Sequence, residues 1–488
     1  MIALGAGLVA GCATVPPCPA KGGRTWRELT TDHFVLRTDL NEDDALRVVR
    51  TLEETRAAML IGVWSNLRIE SEVTPVFALD SRSELASYTG PLSGAKHQST
   101  PPFPPFLVVP EVGSGMGPGA HAVRHELAHQ LSRQVLAAQP HWFSEGVATF
   151  LETIRPDFED DTRMVIGEAD PGRYRLFRYV VPSSLEELLG APPETLHERA
   201  RFYATSWLLV HYLFNHRPEQ LREFEHRLGA LEPARVAFRE AFPDLASGAL
   251  PSVLWTYING GEYVITRWRV PRWNGLHETR VLTDAEVHAV RALLRASSSN
   301  VEDPEAHAAA IASELDEAIG HGSPPLDALA VAFYQLNRPY RFSRAELASM
   351  AVATHPRKWM AWLMAADVAP GGSDERDHAL HRALAFDPTE PEVLLRLARE
   401  HARVGRWQEV LGISSRILRA GVQHPDLWLM HLYALQETGR CDTARLWGAA
   451  LEGYVGTEKK GDVARVRARP CREPADEDAA ATVTSTPE

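Results

Sequence analysis

The sequence predicts an α+β domain followed by an all-α domain. Strand-like and helix-like stretches alternate through the first half and lead into the segment His125-Glu126-Leu127-Ala128-His129. From about Asp284 onward the apolar spacing is helical. Within that second half two stretches align at an offset of 34 residues: Pro391-Glu392-Val393 on Pro425-Asp426-Leu427, and Gly405-Arg406-Trp407 on Gly439-Arg440-Cys441. A chain of 488 residues exceeds the size at which a single core stops growing, so two or more domains are expected. The boundaries read as 1–23, 24–280, 281–460 and 461–488.

The opening eleven residues are uncharged and mostly apolar, too short for a membrane-spanning helix of about 20 residues. Val9-Ala10-Gly11-Cys12 resembles a bacterial lipobox, which makes Cys12 the expected lipidation site and the following Pro-rich stretch to residue 23 a tether. Ala13 lacks the Asp that favours inner-membrane retention, so the expected location is the cell envelope, at the outer membrane. A net charge of −13 with no basic stripe argues against nucleic acid as a partner. An exported chain would permit a Cys441–Cys471 disulfide.

His33-Phe34-Val35-Leu36-Arg37-Thr38 alternates like a strand. Asn41 with Glu42, Asp43 and Asp44 supplies a cap and an acidic first turn for a helix from Glu42 to Gly62. Val73 to Leu79 reads as a second strand, and Ser81-Arg82-Ser83-Glu84 as a capping box opening a short helix. Phe106-Leu107-Val108-Val109 reads as a third strand, at the sheet edge. Gly113 to Gly119 lacks both the dinucleotide-loop spacing and the phosphate-loop Lys, so it reads as a rim.

On a helix, residues four apart share a face, so His125 and His129 can grip one metal ion. Glu126 stands one step round, where an attacking water would sit. A hydrolytic zinc takes three protein ligands, so a third donor is needed. Glu145, 145 − 129 = 16 residues on, is the leading candidate, with Pro140 turning the chain between two helices. Two unrelated histidines on a surface helix would give the same letters. Here Ala122, Val123, Leu127, Ala128 and Leu131 give the helix a side suited to burial. His121 and His141 are second-rank candidates: His121 shares the face of His125 and His129, but three collinear ligands on one helix cannot easily surround an ion, and His141 sits four residues before Glu145, where it could also approach the metal.

These residues, with Trp142-Phe143-Ser144-Glu145-Gly146-Val147-Ala148, resemble the gluzincin branch of zinc metallopeptidases, and most of all its peptidase MA-like group. The segments Trp26-Arg27-Glu28-Leu29 through His33-Phe34-Val35-Leu36, and Tyr203 to Tyr212, are similar as well. The resemblance spans about the first half of the chain past residue 23. It implies a zincin-like core, Zn2+ held by His125, His129 and Glu145, Glu126 as general base, and a peptide or protein substrate. A Tyr or His from a later helix stabilises the oxyanion in such enzymes, and Tyr203 matches that place. Two departures stand out. Thr149 occupies the position where many gluzincins carry an Asp that braces a ligand histidine, and the Gly-x-Met-Glu-Asn stretch of related aminopeptidases is missing.

Tyr257 to Val264 reads as a hairpin closing this domain. The 34-residue offset beyond it looks like tetratricopeptide repeats, with Ala379 to Pro388 as a partial preceding unit, and repeats of that kind bind a protein partner on a concave face. Residues after Gly461 read as a disordered tail. Two functions follow as expectations. One is a zinc-dependent peptidase tethered at the envelope by a lipid anchor in the membrane. The other is a catalytically silent lipoprotein of the same fold that binds or assembles proteins through its repeats.

Overall fold

The computed structural model describes residues 17–472, apart from 65–72, 91–95, 99, 111–117, 137–138, 161, 169–170, 178, 191–192, 194, 231, 261–263, 299–300, 302, 321, 337–338, 420–424 and 455–456. Cys12 and most of the glycine-rich stretch at 113–119 therefore lie outside the described residues.

The elements run β1 (Arg27–Thr30), β2 (Phe34–Thr38), α1 (Glu42–Val63), β3 (Thr74–Leu79), α2 (Arg82–Thr89), β4 (Lys96–Gln98) and β5 (Phe106–Pro110). Next come α3 (Pro118–Val135), α4 (His141–Leu151), β6 (Arg155–Pro156), β7 (Arg163–Ile166), α5 (Pro171–Leu176), α6 (Leu185–Leu188) and α7 (Leu196–His216). They continue with α8 (Pro218–Gly229), α9 (Ala234–Ala241), α10 (Leu250–Gly260), β8 (Thr266–Arg269) and β9 (Glu278–Val281). The helical remainder is α11 (Asp284–Ala296), α12 (Pro304–Gly320), α13 (Leu326–Tyr334), α14 (Arg344–Thr354), α15 (Trp359–Val368), α16 (Asp374–Phe386), α17 (Pro391–Arg403), α18 (Trp407–Arg419), α19 (Pro425–Glu437), α20 (Cys441–Tyr454) and α21 (Thr457–Arg467). The mixed composition agrees with an α+β class.

Contacts divide the chain into two units. The first comprises the described parts of Met1–Ala57, Glu70–Glu126 and Val270–Val368, and the second those of Ala58–Ile69, Leu127–Arg269 and Ala369–Glu488, so that α1 and α3 contribute to both.

The first unit is built on a six-stranded sheet in the order β4-β5-β3-β2-β1-β9. Its centre, β2, β3 and β5, is parallel, with Phe34 opposite Thr74 and Val76 opposite Leu107. Parallel neighbours need a long crossover, which α1 supplies between β2 and β3. Strands β1, β9 and β4 are antiparallel additions. The expected edge position of Phe106 to Val109 is therefore corrected: β4 pairs antiparallel outside it, and Leu107 and Val108 are buried with Val76 and Phe77. A strand that apolar throughout fits a sheet interior better than an edge. Ser81 caps α2 by accepting from the Glu84 backbone N–H. The Glu84 carboxylate is fully buried and takes hydrogen bonds from Arg291 Nε on α11 and the Tyr88 hydroxyl, both at 3.1 Å.

The second unit holds the three-stranded sheet β6-β7-β8 and helices around α4 and α7. The hairpin expected at Tyr257 to Val264 is not formed by its first four residues, which complete α10. Asn259 and Gly260 terminate a helix instead of turning a hairpin, a role glycine fills equally well. The C-terminal helices begin at Pro391, Trp407, Pro425 and Cys441, which reproduces the 34-residue offset element by element. Gly405 and Gly439, one before each second helix of a pair, both adopt a left-handed φ of 75°. Leu395, Val410, Leu411, Trp428, Leu432 and Trp447 bury together between the pairs. From Gly461 to Arg472 the chain is folded, contrary to expectation, while 473–488 lie outside the described residues. α21 runs through that glycine, Val463 and Val466 join the same core, and a disulfide joins Cys471 to Cys441.

Candidate metal centre on two consecutive helices

Helix α3 buries Val123, Leu127, Ala128 and Leu131, which leaves His125 and Glu126 half-buried along the adjoining strip, with His129 one turn on. Helix α4 is apolar around most of its surface. Of its residues only His141, Ser144 and Glu145 escape full burial, and positions i, i+3 and i+4 form one face. The rest of α4 is anchored. Trp142 stacks on Phe224 at 5.8 Å and meets Phe238 edge-on at 5.9 Å. Gly146 sits where a Cβ would lie 2.5 Å from the Ser206 carbonyl oxygen and 2.6 Å from Val210 Cγ2. No other residue lets α4 lie this close to α7, and that packing fixes the rotation of α4 that turns Glu145 towards α3.

The outcome is a cluster of His125, His129 and Glu145, whose ligand atoms all lie within 4.8 Å of one another. His129 Nε2 is 3.6 Å from Glu145 Oε1, too far for a hydrogen bond. Donors around one zinc at about 2.0–2.2 Å lie roughly 3–3.5 Å apart, so small side-chain rotations close the cluster on a cation. Two imidazoles and one carboxylate form a donor set that fits a divalent transition metal.

On the other side of the His129 ring, Nδ1 lies 3.1 Å from Ser144 Oγ. Thr149 braces nothing: it is buried, and its hydroxyl has no hydrogen-bond partner among the described residues. No hydrogen bond or ion pair engages the Glu126 carboxylate among the described residues. His141 Nδ1 stands 3.9 Å from Glu145 Oε1, while its ring stacks on Phe202 at 5.3 Å and meets Tyr203 at 6.1 Å. Burial, and secondarily the neighbouring His129, push the His141 imidazole below its usual range, against the pull of Glu145. Burial, with the Glu145 charge added, raises the Tyr203 phenol and keeps it a proton donor. Neither His121 nor His141 belongs to the three-residue cluster.

Sequence reasoning left one participant unread. Ser144 directly precedes Glu145, and its only signal was its place on the polar face of an otherwise apolar helix. His211, which lies in one of the segments carrying the resemblance, is structural. It is fully buried, with Nε2 2.9 Å from the Gly167 carbonyl and Nδ1 2.7 Å from the Tyr257 hydroxyl.

Residues 120–234, from α3 through α8, match the family described as Protein of unknown function (DUF1570). No curated protein and no solved structure matches the chain.

Proposed function

We propose that the protein is a zinc-dependent peptidase of the bacterial cell envelope. The observation that carries this reading is the convergence of His125, His129 and Glu145 from two consecutive helices, with Glu126 beside them. Those three residues would hold the ion, and the core around them would be zincin-like. Zinc bound there supplies a Lewis acid that brings the pKa of water down to about 7.

Each remaining step belongs to the chain. Glu126 accepts the proton of the attacking water and hands it to the leaving amine, the work of a positioned general base. Tyr203 keeps its proton and donates a hydrogen bond to the oxyanion of the tetrahedral carbon. The Cys441–Cys471 disulfide supports maturation in an oxidising compartment. Cys12 is the proposed lipid anchor. Among the described residues no helix is long and apolar enough to cross a membrane. The helix pairs α17–α18 and α19–α20 support a tetratricopeptide-like module presenting substrate or a protein partner. They also favour the second reading, a binding protein whose metal site is catalytically silent.

The test is metal analysis of the purified protein joined to peptide hydrolysis with and without chelator. About one zinc per chain and chelator-sensitive cleavage are expected. Glu126→Gln should keep the metal and lose about 10²–10⁴-fold in rate. Full activity in that variant refutes the mechanism. A filled site with no cleavage across a diverse peptide library favours the binding reading.

A further inference from the structure

We infer that Ser144, the residue just before Glu145, is the positioning residue for the ligand His129. The inference deepens the metal-site reading and rests on it.

A ligating histidine gives one ring nitrogen to the metal, and the partner of the other nitrogen fixes its tautomer and ring angle. His129 Nε2 points to the Glu145 side of the cluster, and Nδ1 lies within hydrogen-bond distance of Ser144 Oγ. With Nε2 as the ligating atom, the proton resides on Nδ1, and the serine hydroxyl accepts it. Thr149 cannot do this work, because its buried hydroxyl touches no polar partner among the described residues. One helix face thus carries both functions: Glu145 faces the ion while Ser144, its neighbour, holds a ligand from α3. Both residues immediately precede Gly146, whose packing against α7 leaves no room for a Cβ. A neutral hydroxyl adds no charge to the imidazole, whereas a carboxylate brace would raise its basicity. An ion held there would therefore be bound less tightly than at a carboxylate-braced equivalent.

Two measurements test this on the full chain. In metal-free wild type, nitrogen-15 NMR of the histidine rings should show His129 with its proton on Nδ1. Ser144→Ala should shift it to a mixture of the two tautomers. Zinc affinity by chelator competition should fall about 10–100-fold in Ser144→Ala and stay within about 2-fold in Thr149→Val. A wild-type proton on Nε2, or equal affinity in Ser144→Ala and wild type, overturns the brace. If wild type binds no zinc, the metal-site reading fails, while the tautomer still decides the role of Ser144.

Discussion

His129 and His288 are both buried and both face a glutamate, yet they are built for different ends. His288 is closed on two sides: Nδ1 lies 2.7 Å from Glu314 Oε2 and Nε2 lies 2.9 Å from Cys18 Sγ. Glu314 is met in turn by Arg295 at 3.4 Å. His129 Nδ1 lies 3.1 Å from Ser144 Oγ, and its Nε2 stands 3.6 Å from Glu145 Oε1, a ligand residue on the next helix. A ring with hydrogen bonds at both nitrogens ties elements together. A ring braced on one side, with its other nitrogen held at cation-bridging distance from a carboxylate, is arranged to ligate.

The comparison breaks most sharply under paired substitutions. His288→Ala should cost about 2–4 kcal/mol of stability, because it strands the Cys18 thiol and part of the Glu314 carboxylate in a buried place. Metal content should be unchanged. His129→Ala should abolish stoichiometric zinc and lower metal-free stability by roughly half as much, mainly from the cavity it leaves. Denaturant melts with metal analysis read both, and equal stability losses would show that the two histidines play the same structural part.

A smaller effect concerns how the His129–Glu145 arrangement is set. Gly146→Ala should cost about 1–3 kcal/mol by overpacking α4 on α7, and should weaken zinc binding as Glu145 turns away. A destabilised variant with wild-type affinity would show that the glycine serves packing alone.

The mildest test concerns an acid outside the metal cluster. Burial pushes the Glu225 carboxyl on α8 up to about 7, with partial relief from Arg222. An acid whose folded pKa is raised favours the folded state while protonated. That contribution is full below the usual carboxylate value and fades as pH rises through 7. Glu225→Gln should therefore stabilise by about 1 kcal/mol at pH 8 and leave stability near pH 5 unchanged. Thermal melts at the two pH values decide it, and a pH-independent effect would show that the carboxyl does not titrate there.

The contrast between sites also marks what the sequence could convey. His125, His129 and Glu145 were legible because helical periodicity converts their spacing directly into geometry. The helix pairs at Pro391 and Pro425 were legible because a repeat announces itself by self-similarity. The sheet was only half legible. β1 and β9 pair across some 250 residues, with Leu29 opposite Thr279, and β9 is a short exposed strand with no apolar alternation to read. Helix α21 is hidden in the sequence because its composition is polar, and its fixing contacts, Val463, Val466 and the disulfide, are tertiary. The Ser144 contact was invisible for the same reason, since it depends on how two helices cross.

The link between Cys441 and Cys471 encloses α20 and α21 within a sequence separation of 30. A protease that nicks the backbone anywhere inside that span frees no fragment. The two pieces travel as one band on a gel until reductant is added. Helix α21 thus remains attached even after its peptide continuity with α20 is gone.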